Sequence, residues 1–382
     1  MAQWNRVSLI DYIELIVGGT PKTTVPEYWN GNIPWLSVKD FNNDKRYVYS
    51  TEKHISQSGF ENSPTKMLHK DDIIISARGT VGEIAMIPFD MAFNQSCYGI
   101  RASRGIDQPF LYYLLKNCIS QLKRMTHGSV FDTITRDTFA NIEVDIPDAE
   151  TQKRISSVLA DIDNKIEVND AINDNLHQQA ATLFKALFVD LTPFDGTMPP
   201  NWTISTLGDA TEMGAGGDKP KESSPVKTPL CPYPIYSNGI NDYGLYGYTN
   251  DPKIKAESVT VSARGTIGYV CLRHTPYVPI VRLVTLIPDT KVLSAKYLYL
   301  YLRQLHITGT GTTQQQLTVP DFRKTEIIIP DKNTMDSFTE TVTPLFEQIW
   351  ANEDENTKLA EVRDALLPKL MSGEIDVSDI QL

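Results

Sequence analysis

The chain of 382 residues has few cysteines and no long apolar run. Its cysteines lie far apart, with no Cys-x-x-Cys pair, at Cys97, Cys118, Cys231 and Cys271. This usage argues against a disulfide framework or a cysteine-based zinc site and fits a reducing cytoplasm. No stretch approaches the roughly 18 apolar residues of a membrane-spanning helix, and the first residues lack the pattern of a secretory signal. We therefore expect a cytoplasmic protein that does not cross a membrane.

The sequence also lacks the motifs of common enzymes. It has no Gly-x-x-x-x-Gly-Lys-Ser/Thr phosphate loop, no dinucleotide-binding glycine pattern, no His-Glu-x-x-His and no Gly-x-Ser-x-Gly. The Asn/Asp-Pro-Pro-aromatic signature, with which adenine methyltransferases hold the target amine, is absent as well. The six histidines are scattered, so no metal site is indicated. We expect no catalytic residue, no metal and no cofactor in this chain, and a fused nuclease or methyltransferase is disfavoured.

The net charge of −11 would by itself argue against a nucleic-acid partner. The acidic excess, however, is concentrated in two short segments, 151–195 and 334–382, while the two larger segments together are neutral. Global acidity does not exclude a local basic groove. It does predict that the chain alone binds DNA weakly and that partner proteins supply positive charge.

The chain is internally duplicated. The motif Ser-Ala-Arg-Gly-Thr, followed by Val or Ile and Gly, occurs at 76–82 and 262–268, each time between two apolar runs. Other matches keep the same order, such as FLYYLLKN at 110–117 and YLYLYLRQ at 297–304. Several matches in order indicate two copies of one domain. Each motif is predicted to form a strand, a glycine-rich turn and a second strand.

Each copy ends in a predicted long helix. Between 151 and 188 apolar residues recur every seven positions on two seams, which is typical of a coiled coil. The seams are Ile155, Ile162, Asn169, Leu176 and Leu183, and Leu159, Ile166, Asn173, Ala180 and Leu187. The second copy places Asn352 and Asn356 at the heptad positions of Asn169 and Asn173, where asparagine is expected to fix the register. Either the two helices pair with each other, which we favour, or each packs on its own domain.

The expected layout is domain, helix, domain, helix. The predicted segments are a first recognition domain at 1–150, a central helix at 151–190, a second recognition domain at 191–333, and a C-terminal helix with its tail at 334–382. Pro368 is expected to break or kink the second helix near its end. The fold class is α+β, with two similar mixed α/β domains joined by two long helices in an internal repeat.

The remaining polar signals suggest binding to DNA. Glycine-rich turns and lysine loops suit contacts to phosphate, and asparagine and glutamine pair with adenine edges. The candidates are Lys22, Arg78, Gly79, Thr80, Asn94 and Gln95 in the first copy, and Lys219, Lys221, Asn238, Arg264, Gly265, Thr266, Gln314 and Gln315 in the second. Structural turns and solvated lysine loops are the alternative interpretation of these segments.

These features together resemble one family, the specificity subunit of type I restriction–modification systems. The most specific parts are the doubled Ser-Ala-Arg-Gly-Thr turn, QKRISSVLADIDNKIE in the central helix and LLPKLMSGEI near the C-terminus. The resemblance implies two target-recognition domains related by a pseudo-twofold repeat, and an antiparallel coiled coil between their helices. The second motif is followed by PIVRLVT, where the first has the family-like FNQSCYGI.

The resemblance also implies a function and partners. Each domain would recognise one half of a split, asymmetric site in double-stranded DNA, while the helices act as a spacer and as the docking surface for methyltransferase subunits. The chain would dock two methyltransferase subunits, which use S-adenosylmethionine, and motor–nuclease subunits, which use ATP and Mg²⁺. The rival hypothesis is an interaction scaffold whose duplicated domains bind proteins and never contact DNA.

Features shared by both copies cannot distinguish two different half-sites. The shared Arg78 and Arg264 are therefore expected to contact the DNA backbone or a feature common to both half-sites. The segments that differ are expected to read the bases. These segments are 35–47 against 233–248, and 127–133 against 309–316. Lys39 and Asn42 belong to the first of them and complete the list of DNA-binding candidates.

Overall fold

The computed structural model describes residues 4–126, 133–309, 316–378 and 380. Gln314 and Gln315 lie outside the described residues. Within these ranges no helix combines the length and apolar character needed to cross a membrane. Histidine, cysteine and carboxylate side chains of the same ranges form no cluster that could hold a metal ion.

The described chain alternates short strands with two very long helices. In chain order the strands are β1 (Asn5–Ser8), β2 (Ile13–Val17), β3 (Trp29–Leu36), β4 (Lys53–Ile55), β5 (Met67–Leu68), β6 (Ile73–Ser76), β7 (Ile84–Met86), β8 (Met91–Phe93), β9 (Cys97–Ala102), β10 (Glu143–Ile146), β11 (Thr203–Thr206), β12 (Thr211–Ala215), β13 (Ser223–Ser224), β14 (Tyr233–Tyr236), β15 (Leu245–Thr249), β16 (Ser258–Val261), β17 (Val270–Arg273), β18 (Val278–Pro279), β19 (Val284–Pro288) and β20 (Glu326–Ile329). The helices are α1 (Val38–Phe41), α2 (Gln57–Glu61), α3 (Gln108–Thr126), α4 (Arg136–Ala140), α5 (Ala149–Phe184), α6 (Leu207–Ala210), α7 (Ala295–Gln304), α8 (Val319–Phe322) and α9 (Lys332–Met371).

The first compact unit consists of Met1–Ala171 and Asn352–Leu382. Its central sheet has the antiparallel order β2–β9–β6–β7, a second sheet has the order β4–β3–β8–β5, and β1 pairs with β10. The central strand β6 is buried on both faces, because Ile73 and Ile75 enter the main core with α3 while Ile74 enters a second core. This alternation explains why an uninterrupted apolar run forms a strand here.

The second compact unit, Ile172–Ala351, repeats the central architecture. Its sheet β12–β19–β16–β17 has the order of β2–β9–β6–β7, and β11 pairs with β20 as β1 does with β10. The outer sheets differ. In the first unit β8 lies between β3 and β5, whereas in the second β18 is an edge strand and β13 is added beyond β15. The duplication therefore preserves the central sheet and varies the outer one.

The two long helices run antiparallel and contact each other within each unit. In the first unit, Asn169 contacts Asn356 and Asp163 contacts Arg363. Beyond the end of α9, the carbonyl oxygen of Ser378 accepts a hydrogen bond from Arg154 of α5. In the second unit the ring of His177 lies against Phe346, and Phe184 lies against Phe338. Residues late in α5 contact residues early in α9, and residues earlier in α5 contact residues later in α9. The two helices are therefore antiparallel. Mutual pairing is thus confirmed, although each helix segment also joins the core of its unit.

The structure corrects one predicted seam position and excludes a helix break at Pro368. Leu183 was expected on a buried seam but is 37% exposed, and its neighbour Phe184 is buried instead. A straight helix of 3.6 residues per turn drifts from a strict seven-residue repeat, which moves the buried face by one residue. Pro368 does not break α9, which continues to Met371. Near the end of a helix a proline removes only one backbone hydrogen bond, so the last turn survives.

The compact units do not follow the four predicted segments. The division cuts both long helices, at Ala171 and at Ala351, so each unit holds a part of α5 and a part of α9. The chain thereby has two mixed α/β units and two shared helices, the architecture expected of the duplication. The boundaries 1–150, 151–190, 191–333 and 334–382 stay a prediction.

Candidate nucleic-acid interface

Three loops of the first unit meet where β2, β6 and β9 reach the same edge of the central sheet. The backbone N–H groups of Ala77 and Arg78 both donate to the carbonyl of Ser96, over 2.8 and 3.2 Å. The N–H of Gly19 donates to the carbonyl of Phe93. We call the segments 18–22, 76–82 and 94–96 the first loop edge. It brings together six predicted residues: Lys22, Arg78, Gly79, Thr80, Asn94 and Gln95.

The tip of the motif turn is open to solvent. Arg78, Gly79 and Thr80 are exposed, and Gly79 has a φ of +79° with no atom within 4 Å of a Cβ built on it. Glycine adopts this backbone conformation without steric cost, and a partner can approach the bare backbone. Ser76 fixes the turn from inside, since its hydroxyl donates to the carbonyl of Thr80 and accepts from the N–H of Glu83.

The amides beside this turn are ordered by local hydrogen bonds. Asn94 accepts the N–H of Ser96 through Oδ1, over 3.0 Å. Gln95 is exposed and accepts a hydrogen bond from the hydroxyl of Thr20. Because the Asn94 N–H donates to the carbonyl of Leu36, the end of β3 lies at the same edge. These contacts hold polar side chains in place without burying Gln95.

Lys39 and Asn42 lie on and just after α1, which directly follows β3. Both side chains are exposed. Because α1 directly follows β3, whose end lies at the first loop edge, both residues are only a few positions along the chain from that edge. A base-reading segment would need such a place. Their contact with DNA remains a prediction.

Asp44, two residues after Asn42, connects the chain at this point to the helices α3 and α9. Asp44 bonds Lys116 and Arg363 at 2.8 and 2.9 Å. Lys116 and Arg363 hold the pKa of Asp44 below its ordinary value, although burial opposes them. Arg363 also pairs at 2.9 Å with Asp163, and both side chains are only 4% exposed. Tyr113 donates to Asp163 as well, over 2.6 Å. Asp44 thus links the end of this segment to α3 and α9, and base reading by the segment 35–47 remains a prediction.

The second unit has a corresponding edge, formed by the segments 216–221, 237–238, 262–268 and 280–282. We call it the second loop edge. Arg264, Gly265 and Thr266 are exposed, and Gly265 has a φ of +69°. The guanidinium of Arg264 donates twice to the Oε1 of Gln316, over 3.3 and 3.1 Å. Gln316 follows the predicted Gln314 and Gln315 and orients this arginine, a role that the sequence did not reveal.

Asn238 connects two loops of the second loop edge through its side-chain amide. Its Oδ1 accepts the N–H of Ala263 over 2.8 Å, and its Nδ2 donates to the carbonyl of Val281 over 2.6 Å. In the first unit the carbonyl of Ser96 accepts the matching N–H of Ala77. A side chain thus does in the second unit what the backbone does in the first. Any base contact by Asn238 would have to share these groups, and it remains a prediction.

The lysines of the glycine-rich segment 216–221 are exposed. Lys219 and Lys221 both face solvent. The ammonium of Lys219 lies 5.1 Å from the ring centroid of Tyr246, which is itself 53% exposed. A cation over an aromatic face can contact phosphate while the ring stacks or packs on a base. Tyr246 thus adds an exposed aromatic ring beside the second loop edge.

Burial argues against covalent chemistry at Cys97. All four cysteines are free, and burial raises the pKa of Cys97 to about 12. A thiol with such a pKa is not a nucleophile near neutral pH.

The family of the chain follows from comparison with known proteins. The model of the type I restriction modification DNA specificity domain matches residues 1–178 and 199–361. The two matches cover most of the chain, each containing one Ser-Ala-Arg-Gly-Thr turn, and the chain belongs to this family. The family is the non-catalytic specificity component of type I systems, in which catalysis lies in other subunits.

One curated relative and one solved structure match nearly the whole length of the chain, and a second relative matches most of it. The MjaIX specificity subunit of Methanocaldococcus jannaschii is 27% identical over 99% of this chain and 94% of its own. The HindI specificity subunit of Haemophilus influenzae is 27% identical over 70% of this chain and 77% of its own. The crystal structure of a type I restriction–modification S subunit from M. genitalium covers 97% of this chain and 96% of its own, with a TM-score of 0.58 and 15% identity. This last likeness confirms the fold.

Proposed function

We propose that this chain selects the DNA sequence for a type I restriction–modification complex, each unit recognising one half of a bipartite, asymmetric duplex site. One observation carries the proposal: the same exposed Arg-Gly-Thr turn occurs at the loop edge of both units, next to segments that differ between them. A shared cationic turn suits a contact to phosphate, and different neighbours suit different base sequences.

The paired helices support a spacer role. At 1.5 Å per residue, the 36 residues of α5 span roughly 54 Å. Buried polar contacts such as Asn169 with Asn356 tie α5 to α9 in one register. A fixed register would fix the number of base pairs between the half-sites, because groove positions on one face of DNA recur about every 34–36 Å.

The partners complete the proposal. The chain docks two methyltransferase subunits that transfer methyl groups from S-adenosylmethionine to adenine, and motor–nuclease subunits that use ATP and Mg²⁺. It works in the cytoplasm, which the four free cysteines support. The net charge of −11 supports a division of labour in which the partners supply much of the attraction to DNA.

The test compares the chain alone with the assembled methyltransferase complex on duplex DNA over a series of salt concentrations. The complex should bind much more tightly than the chain, and the logarithm of its affinity should fall steeply with the logarithm of salt concentration. A complex that assembles but does not bind duplex DNA would support the scaffold hypothesis instead.

A further inference from the structure

Two consecutive residues of the second loop edge, Val281 and Arg282, adopt a left-handed backbone. Their φ angles are +53° and +60°. Left-handed backbone is unfavourable for residues with a Cβ, and a branched Cβ as in valine makes it a genuine outlier. Val281 is nevertheless 47% exposed, so burial of its side chain in the core does not explain why a valine occupies this backbone conformation.

The surrounding contacts enforce this conformation. The N–H of Val281 donates to the carbonyl of Gly217 over 2.9 Å, and the N–H of Arg282 donates to that of Gly216 over 2.8 Å. Asn238 binds the carbonyl of Val281 from the other side. Strain that is held on every side and leaves an apolar group in solvent is a feature of functional sites.

The strand register identifies the equivalent position in the first unit. In the first unit, Ile75 directly precedes the motif serine and pairs with Tyr98. In the second unit, Val261 directly precedes the motif serine and pairs with Val284, so the two pairs are equivalent. Counting back along each strand from these pairs, Val281 occupies the place of Gln95. Gln95 is one of the predicted adenine-reading side chains, so the two units carry an amide and an aliphatic side chain at the same register position.

We infer that Val281 is a specificity-determining residue of the second unit, whose exposed methyl groups pack on the C5-methyl group of a thymine in the major groove. Apolar side chains recognise thymine through this methyl group, whereas glutamine recognises adenine. The left-handed turn projects Val281 beside the Arg264 turn, because Asn238 links the two through Ala263 and Val281. The inference rests on the proposed function and deepens it.

The experiment replaces each thymine of the recognised site in turn by uracil, which removes only the C5-methyl group. The assembled methyltransferase complex should lose about three- to five-fold in affinity at one thymine of the second half-site, the size expected for one buried methyl group. The complex with Val281→Gly should bind the thymine and uracil sites equally. Its melting temperature should not fall, because glycine accepts the left-handed backbone.

Two further variants separate recognition from backbone strain. Val281→Asn introduces a polar side chain, and asparagine tolerates the left-handed region. The complex with this variant should also lose the thymine preference. Asp195→Gly changes another exposed left-handed residue, with a φ of +51°, and should keep the preference. A thymine preference that is the same in Val281→Gly and wild type would overturn the inference while leaving the proposed function intact. A wild-type complex without any sequence preference would overturn both.

Discussion

Asn169 of α5 donates a hydrogen bond to the side chain of Asn356 in α9, with 2.8 Å between Nδ2 and Oδ1. Asn169 is 1% exposed, and its Nδ2 also lies 2.8 Å from the carboxylate of Glu355. A shift of one helix along the other would leave the buried amide of Asn169 without its partners, which is unfavourable. The contact therefore specifies one alignment of the two helices in the first unit.

Replacing both asparagines should reveal this role. Asn169→Leu alone should destabilise the chain by about 1–3 kcal/mol, because Asn356 keeps a polar group without its partner. The double variant with Asn356→Leu should recover that loss or exceed wild-type stability, since both polar groups are gone. Chemical denaturation of the four proteins of the cycle gives the coupling free energy.

The matched control is Asn175→Leu, an exposed amide of the same helix. It should change the free energy of unfolding by less than about 0.5 kcal/mol. The double variant should also accept sites with altered spacing between the half-sites, because the register is no longer fixed. Additive effects of Asn169→Leu and Asn356→Leu would show that the contact does not couple the helices.

The buried ion pair of the first unit should be important for its stability. Arg363→Met leaves Asp163 buried and Asp44 without one of its two cations, so we expect a loss of about 3–5 kcal/mol. Lys332→Met is the control, because its pair with Asp336 is exposed and should contribute less than about 1 kcal/mol. Urea denaturation measures both, and equal small losses would contradict the assignment.

Glu167 should make stability depend on pH in a defined direction. Burial raises its pKa, although the Tyr49 hydroxyl and Arg46 oppose the shift. The folded chain therefore holds the proton more tightly than the unfolded chain, and stability falls as the pH rises through the raised pKa. Glu167→Gln should stabilise the protein near neutral pH, and the gain should vanish in acid below the ordinary pKa of glutamate.

Denaturation at both pH values checks this, with the exposed Glu340→Gln as control. The Oε1 of Glu167 is buried and has no hydrogen-bond partner among the described residues, which makes its negative charge costly. A Glu167→Gln variant that is less stable than wild type near neutral pH would mean that the carboxylate is stabilising.

The two motif arginines should affect affinity without changing the sequence that is bound. Arg78→Ala or Arg264→Ala should weaken binding to all sites alike and reduce the slope of log affinity against log salt by roughly one. Arg104→Ala is the control, since Arg104 follows the opposite end of β9 from the first loop edge. If Arg264→Ala changes the preferred bases in a site-selection assay, the arginine reads sequence rather than backbone.

Lys39 and Asn42 should act on one half-site only. Their replacement by alanine should relax base preference in the half-site of the first unit, at about 1–3 kcal/mol for the base pair concerned. Asn43→Ala, the next exposed residue, is a close control. Selection from a library with both half-sites randomised would show the effect, and a change in both halves would argue against separate reading by each unit.

The sequence alone was sufficient to predict the repeated architecture. Apolar runs on either side of each motif predicted the strands that became β6 with β7 and β16 with β17, because glycine turns between such runs favour hairpins. The heptad pattern predicted the pairing of α5 with α9 for the same local reason. Both signals depend on neighbouring residues, which a single sequence displays directly.

The sequence could not show contacts between distant segments. The hydrogen bonds of Asn238 could not be predicted, because its partners Ala263 and Val281 lie in loops 25 and 43 residues away. The left-handed backbone of Val281 leaves no pattern in the sequence, since glycine would ordinarily mark such a position. Asp44 and Arg363 are 319 residues apart, and only the fold brings them together.

The most direct test of the account is methylation mapping by long-read sequencing in cells that carry this chain with its methyltransferase subunit. The account predicts methylated adenines in a single bipartite, asymmetric motif with a fixed spacer. It also predicts that Val281→Gly changes only one half of that motif, while Arg78→Ala lowers the extent of methylation and leaves the motif unchanged. A continuous or palindromic motif, or methylation that does not depend on this chain, would contradict it.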